Sequence, residues 1–209
     1  MAHKTGDDIV RDAQSRKQSR LARIADAVRA HTPRAAERDP PFFEAAVALV
    51  LRSTATDGVE LLFIKRAERD DDPWSGQIAL PGGRHHADDA SLEATAVRET
   101  LEEVALNLRR DGAMVGALDE LRPRTPVLPP VIVRPFVATV ANDAPVKPGD
   151  EVAALFWAPL DTMLDPASAR DTEILVRGLR TRRPAIHYEG HVIWGMTERI
   201  LHNFREILG

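Results

Sequence analysis

The chain has 209 residues, 44% hydrophobic and 29% charged, with a formal net charge of −4, the composition of an ordinary globular protein and not of a disordered or fibrous one. The acidic balance argues against a dedicated nucleic-acid binder, whose affinity leans on Lys and Arg against phosphates, although a local basic patch for a small anion is still compatible with it. Cysteine is absent, which excludes disulfides, thiolate metal sites and cysteine nucleophiles and fits a cytoplasmic setting.

The start of the chain, Met1 to Gln18, is polar and lacks the apolar core of a secretory signal. No run approaches the length of a membrane-spanning helix, so no membrane partner is expected. Residues 7–31 are predicted to be a helix, with Leu21, Ile24, Ala25 and Val28 on one side. Its cations (Arg11, Arg16, Lys17, Arg20, Arg23) are interleaved with Asp7, Asp8, Asp12 and Asp26, as on a solvated face. Thr32 to Pro41 reads as a linker, so residues 1–41 are expected to form an added helix and linker, and 42–209 a single domain.

Strands are predicted at Ala45–Arg52 and Val59–Lys65, joined as a hairpin through Thr56-Asp57-Gly58. A Gly/Pro-rich loop covers Asp70–Gly83, and a helix runs from about Asp89 to Val104. Further strands are predicted at Ala113–Leu118, Val131–Val140 and Val152–Trp157, separated by loops at Arg122–Pro130 and Ala144–Gly149. Met196, Ile200, Phe204 and Leu208 repeat every fourth residue in a terminal amphipathic helix over Gly195–Leu208. This mixture predicts an α/β (α+β) domain built on one sheet. A homodimer is compatible with it.

The segment from Pro81 to Leu106 carries the chemistry. On a helix, Ala90, Ala94, Val97, Leu101 and Val104 fall in one arc and are expected to face the core. Glu99, Glu102 and Glu103 fall on the opposite arc as close neighbours, with Asp88 or Asp89 as N-cap. Three carboxylates so close repel one another. A solvated acidic face is one outcome; a hard divalent cation, Mg²⁺ or Mn²⁺, offsetting the repulsion is the other. Pro81-Gly82-Gly83, just ahead of the helix, allows a tight turn and close backbone approach to a ligand. Arg98, four residues before Glu102, is placed to hold that carboxylate.

These residues resemble the Nudix box, G-x5-E-x7-R-E-U-x-E-E-x-G-U, where U is a bulky apolar residue. Gly83, Arg98-Glu99, Glu102-Glu103 and Leu106 match it. Asp89 stands in place of the first Glu with eight residues, not seven, before Arg98; Ala105 replaces the second glycine and Thr100 an apolar position. The resemblance implies a mixed sheet sandwiched between helices. It also implies hydrolysis of a nucleoside diphosphate linked to another group, with Glu99, Glu102 and Glu103 holding Mg²⁺ or Mn²⁺. The metal would neutralise the diphosphate and lower the pKa of a bound water, and a carboxylate, Glu103 or Glu151, would take the proton. Arg98 and Glu102 complete the expected catalytic set; Arg66, Gly82 and Gly83 are the expected substrate contacts.

Arg66-Ala67, Trp74 to Gly83 and Ile193 to Leu201 further resemble coenzyme A pyrophosphatases within this family, although Asp70, Asp71 and Asp72 occupy a region where that branch carries an Arg. The substrate implied is a small nucleotide-containing diphosphate: coenzyme A or its derivatives, cut to a phosphopantetheine product and adenosine 3′,5′-bisphosphate. ADP-ribose, a nucleotide sugar or another nucleoside diphosphate derivative is the alternative. A non-catalytic nucleotide sensor is a further one, against which the complete glutamate set argues. Trp74 is expected to stack on a base or anchor its loop, and Trp157 and Trp194 to lie in the core. His85 and His86 lie near the metal loop but suit a hard cation poorly. Arg122, Arg124 and Arg134 are expected either at phosphates or in solvent.

Overall fold

Apolar residues follow one another through Phe43–Ser53 without alternation, a pattern that suits a strand covered on both faces. In the computed structural model, which describes residues 19–69, 75–123, 130–176 and 179–209, this run is strand β1 (Phe43–Ser53) at the middle of a seven-stranded mixed sheet. The other strands of that sheet are β2 (Val59–Arg66), β3 (Ile78–Ala79), β4 (Gly82–Arg84), β5 (Gly112–Ala117), β6 (Val131–Val140) and β7 (Val152–Pro159). The order is β3-β2-β1-β6-β5, with β4 also on β1 and β7 on β2. β1 and β6 run parallel from Phe43↔Val131 to Arg52↔Val140, while β1 and β2 form the expected hairpin. Thr54 closes its turn, accepting the Gly58 N–H on Oγ1, and Asp57 takes φ 63°.

The two faces of β1 have different covers. Ala46, Ala48 and Val50 pack with Leu62, Ile64 and helix α2 (Leu92–Val104) through Ala96, Val97 and Val104. Leu49 and Leu51 lie with Val133 and Val137 beneath α1 (Arg20–Ala30) and α4 (Met196–Leu208), which contribute Ile24, Val28, Ile200, Leu201 and Phe204. The expected helix–sheet–helix sandwich with an N-terminal helix is therefore present. Its first helix begins at Arg20, with Ser19 Oγ capping the Ala22 N–H; residues 7–18 of the predicted element lie outside the described residues. A short helix α3 (Leu160–Leu164) and a second sheet of β8 (Ala169–Val176), β9 (Leu179–Tyr188) and β10 (His191–Trp194), ordered β10-β9-β8, are additions to the predicted elements. Among the described residues no helix is long and apolar enough to cross a membrane.

Two corrections concern α2. Its N-cap is Ser91, whose Oγ accepts the Ala94 N–H, and not Asp88 or Asp89, because Asp89 is engaged elsewhere. Its buried face is Thr95, Ala96, Val97, Thr100, Glu103 and Val104; Ala90 precedes the helix and Leu101 is 44% exposed. The apolar arc is thus turned toward Thr100, whose hydroxyl is satisfied by the Ala96 carbonyl, 2.7 Å away.

The segment read as a linker is held to the domain by ions. Glu120 lies buried, accepting both terminal nitrogens of Arg38 at 2.8 Å and the Ala36 N–H, with Arg134 beside it. Asp119 accepts from the Arg34 backbone and guanidinium and pairs with His31. Burial alone would raise both carboxyls, but the Arg34 and His31 contacts hold Asp119 below its ordinary value, and Arg38, Ala36 N–H and Arg134 do the same for Glu120. Depressed folded values mean stabilisation that is present above the ordinary carboxylate pKa of about 4 and lost as pH falls through the folded values. The melting temperature should therefore drop steeply below about pH 4. Glu120→Gln, which removes the charge, should cost about 1–3 kcal/mol at pH 7 and flatten that drop; thermal melts from pH 7 to 3 check it, and parallel curves for the two proteins would contradict it.

Candidate active site

Gly82 and Gly83 bring β4 against two elements at once. Gly82, at φ 152°, donates its N–H to Glu103 Oε2 at 2.8 Å, and a Cβ there would stand 2.3 Å from the Ala46 carbonyl oxygen. A Cβ on Gly83 would stand 2.5 Å from the Glu99 carboxyl carbon. The missing side chain is thus needed at Gly82 for the strand to lie on β1, and at Gly83 it leaves room for the Glu99 carboxylate. At the far end of α2, Lys147 and Gly149 donate backbone N–H groups to the carbonyls of Val104 and Glu103, satisfying helix-end acceptors. Ala105 takes φ 58° where the box has glycine, so the left-handed cap is kept at a steric cost of about 1 kcal/mol.

Arg98 binds nearly everything around it. Its Nε and one terminal nitrogen bind Asp89 at 2.9 Å each; the other reaches Glu99 at 2.8 Å and Glu102 at 3.0 Å, and the Arg84 carbonyl accepts at 3.1 Å. Asp89, held far below the usual carboxylate range by Arg98 first and then by the His86 N–H and Thr95, fixes that guanidinium. Asp89, the residue standing at the first Glu position of the box, therefore acts as the anchor of Arg98. Its nine-residue offset to Arg98 spans the helix start at Leu92, so no helical repeat carries the pairing.

The expected glutamates come to the same side as Gly82 and Gly83, but in different environments. Glu103 is buried, not on a solvated arc, and burial pushes its carboxyl up to about 8 despite the Gly82 N–H and Arg66; Glu99 and Glu151 push it further. Burial also raises Glu99, with Arg98 opposing. Arg66 stands 3.7 Å from Glu103. Glu151 is exposed, pairs with Arg69 at 2.9 Å and lies within electrostatic reach of Glu103. Glu102 is 57% exposed on its side chain and turned to Arg98, so among the described residues no three acidic or histidine side chains are gathered at ligating distance.

The remaining expectations divide. His85 bonds Thr95 Oγ1 at 2.8 Å, and His86 lies within electrostatic reach of Glu99. Arg122 donates to the Glu37 and Asp39 carbonyls and Arg134 pairs with Glu120, so both serve the N-terminal segment. Trp157 packs against the core beneath Arg52, 4.0 Å from its ring centroid, whereas Trp194 lines a cavity instead of sitting in the core. Trp74, Asp70, Asp71, Asp72 and Arg124 lie outside the described residues. A cavity of about 510 Å³ adjoins Gly82 and Gly83 on the sheet face away from α2, an addition to the expected site.

A mixed sheet in which a Gly-Gly strand delivers its backbone to a glutamate-bearing helix pinned by one arginine defines the class: a domain built around a carboxylate-lined edge. The chain belongs to the Nudix family, since the NUDIX domain profile matches residues 42–177. It is 40% identical over 110 residues to an uncharacterized protein of Schizosaccharomyces pombe, covering 51% of this chain and 33% of that protein. It is 35% identical over 133 residues to a protein from Yersinia pestis described as the uncharacterized Nudix hydrolase NudL, covering 63% of this chain and 64% of that one. The chain thus spans a third of the first relative and just under two thirds of the second. A MutT/nudix family protein from Enterococcus faecalis shares the fold, with a TM-score of 0.52 and 16% identity over 99% of this chain and 76% of that one.

Proposed function

We propose that this chain is a metal-dependent hydrolase that cuts the diphosphate linkage of coenzyme A or its derivatives, giving a phosphopantetheine product and adenosine 3′,5′-bisphosphate. The observation that carries the reading is the pair of desolvated carboxylates, Glu99 and Glu103, pressed against the Gly82–Gly83 backbone. Carboxylates whose pKa is raised by burial sit where negative charge is under-compensated. An all-oxygen donor set of that kind fits Mg²⁺ or Mn²⁺, with Glu99, Glu102 and Glu103 as the ligands. Such a metal supplies neutralisation of the diphosphate and a bound water of lowered pKa.

The chain's own groups do the rest. Arg98 holds Glu99 and Glu102 in orientation, itself held by Asp89. Gly82 and Gly83 are the proposed backbone contacts of the diphosphate, their missing side chains letting β4 lie against β1 and beside Glu99, and Arg66 supplies a positive charge beside Glu103. Glu151 is the proton acceptor in this reading: it is exposed, borders Glu103 and is not anchored to α2. The water oxygen bonds to phosphorus as the bridging P–O bond breaks, the water proton passes to Glu151, and the bridging oxygen leaves with the departing phosphate.

Coenzyme A is favoured over other diphosphates by the resemblance of Trp74–Gly83 and Ile193–Leu201 to the coenzyme A branch. Within these stretches Gln77–Leu80, Gly82, Gly83 and Trp194–Thr197 border one cavity. A panel of coenzyme A, ADP-ribose and a nucleotide sugar with Mg²⁺, with products identified by mass, tests the reading. Coenzyme A should have the largest kcat/KM, and a chelator should abolish turnover. A higher kcat/KM for ADP-ribose would make that the substrate.

A further inference from the structure

We infer that Gly149 is a positioning residue of the proposed hydrolysis: having no side chain, it lets the turn over residues 149–152 sit on the carbonyl end of α2 and so holds Glu151 beside the glutamates, an assignment that rests on the reading above. Gly149 donates its N–H to the Glu103 carbonyl at 2.8 Å, and Lys147 donates to the Val104 carbonyl at 3.0 Å. The approach leaves no room for a methyl. A Cβ on Gly149 would stand 2.2 Å from the Glu102 carbonyl oxygen and 3.4 Å from that of Glu103. Both are backbone atoms of a helix whose Ala96, Val97 and Val104 are packed against the sheet, so the loop and not the helix would have to move.

The same turn fixes Glu151 from its other side. Val152 donates its N–H to the Gly149 carbonyl at 3.1 Å, closing a four-residue turn in which Glu151 is the third residue. The Ala67 N–H, just beyond β2, binds the Glu151 carbonyl at 2.8 Å. The backbone of Glu151 is thus strung between the end of α2 and the end of β2. Its carboxylate pairs with Arg69 at 2.9 Å and lies within electrostatic reach of Glu103. Glu103 belongs to both halves of the arrangement, since its carboxylate accepts from Gly82 and its carbonyl from Gly149. The spacing between the ligand carboxylates and the proton acceptor is therefore set through backbone contacts. A proton acceptor acts only within hydrogen-bond reach of its water, and a displacement of about 1 Å can cost about 100-fold in rate.

The test is a double-mutant cycle of Gly149→Ala with Glu151→Gln in the full chain. kcat and KM are measured in saturating Mg²⁺ on whichever diphosphate of the panel the wild type turns over fastest. Gly149→Ala should lower kcat about 10- to 100-fold and change KM less than about twofold. Glu151→Gln should lower kcat by about 100-fold or more. Adding Gly149→Ala to it should cost less than about twofold further, because a turn that positions Glu151 then has nothing left to position. A residue that only supports the fold would lower kcat by the same factor in both backgrounds. Lys147→Pro deletes the neighbouring N–H without aiming a methyl at Glu102; it repeats the cycle and decides it should Gly149→Ala fail to fold, as read by melting temperature. Equal factors in the two backgrounds, or wild-type kcat in folded Gly149→Ala, would overturn the inference and leave the proposed reaction standing. Wild-type kcat in Glu151→Gln would sink Glu151 as the proton acceptor, and the assignment of Gly149 with it.

Discussion

Glu103→Gln should lower kcat by about 100-fold or more at saturating Mg²⁺ while raising the melting temperature of the metal-free protein. The two effects share one cause. Gln keeps the acceptor that Gly82 N–H needs and has nearly the same volume, but it removes a charge that burial, Glu99 and Glu151 all disfavour. A folded pKa raised to about 8 means that ionised Glu103 costs stability as pH rises above its unfolded value of about 4.5, so at pH 7 neutralisation is favourable to folding. The same charge is what a metal ligand must contribute, and losing it weakens a cation whose transition-state role is worth several kcal/mol, with each 1.36 kcal/mol a factor of ten. Glu102→Gln should lose activity similarly but gain little stability, because its carboxylate is exposed and screened. Glu93→Gln, about 120° around the helix from Glu99, should change neither by much. Near-wild-type kcat in both box variants would mean that the acidic face is only a solvated surface.

Gly82→Ala should be severely damaging, costing about 3 kcal/mol or more and leaving little activity. Its φ of 152° is a region side chains rarely adopt, and the new Cβ would meet the Ala46 carbonyl oxygen at 2.3 Å and Val47 Cα at 2.5 Å. Both are backbone atoms of the central strand, so nothing soft gives way. Gly83→Ala meets only the Glu99 carboxylate, which can rotate, so it should fold better than Gly82→Ala yet still impair turnover by displacing that carboxylate. Denaturant unfolding of both variants, with kcat measured on whatever folds, separates these outcomes; equal stability for Gly82→Ala and wild type would show that β4 does not lie on β1 as described.

Much of this was legible in the sequence because it is local. The unbroken apolar run of β1, the Thr56-Asp57-Gly58 turn and the four-residue repeat of α4 carry their geometry in neighbouring residues. The glutamate helix was placed correctly, but its buried face was not. An apolar count favoured Ala90, Ala94 and Leu101, whereas Thr95, Thr100 and Glu103 are buried, each with a polar partner that lies a turn away or on another element. Buried polar residues are invisible to a hydrophobic pattern when tertiary hydrogen bonds satisfy them. Asp89 illustrates the same limit: its use depends on Arg98 arriving from the far side of a helix start. The ionic attachment of residues 31–38 to Asp119 and Glu120 joins segments more than 80 positions apart, and the cavity is bounded by strands, a loop and the last helix. Neither has a short-range signature.

The central claim is that Glu99, Glu102 and Glu103 form a divalent-metal site and not merely an acidic face. Its most direct measurement is Mn²⁺ binding to the full chain, followed by electron paramagnetic resonance in the presence of a non-hydrolysable diphosphate. The account predicts at least one bound Mn²⁺ per chain, with affinity strongly weakened in Glu99→Gln and Glu103→Gln and unchanged in Glu93→Gln. Equal Mn²⁺ binding by wild type and both glutamate variants would contradict it.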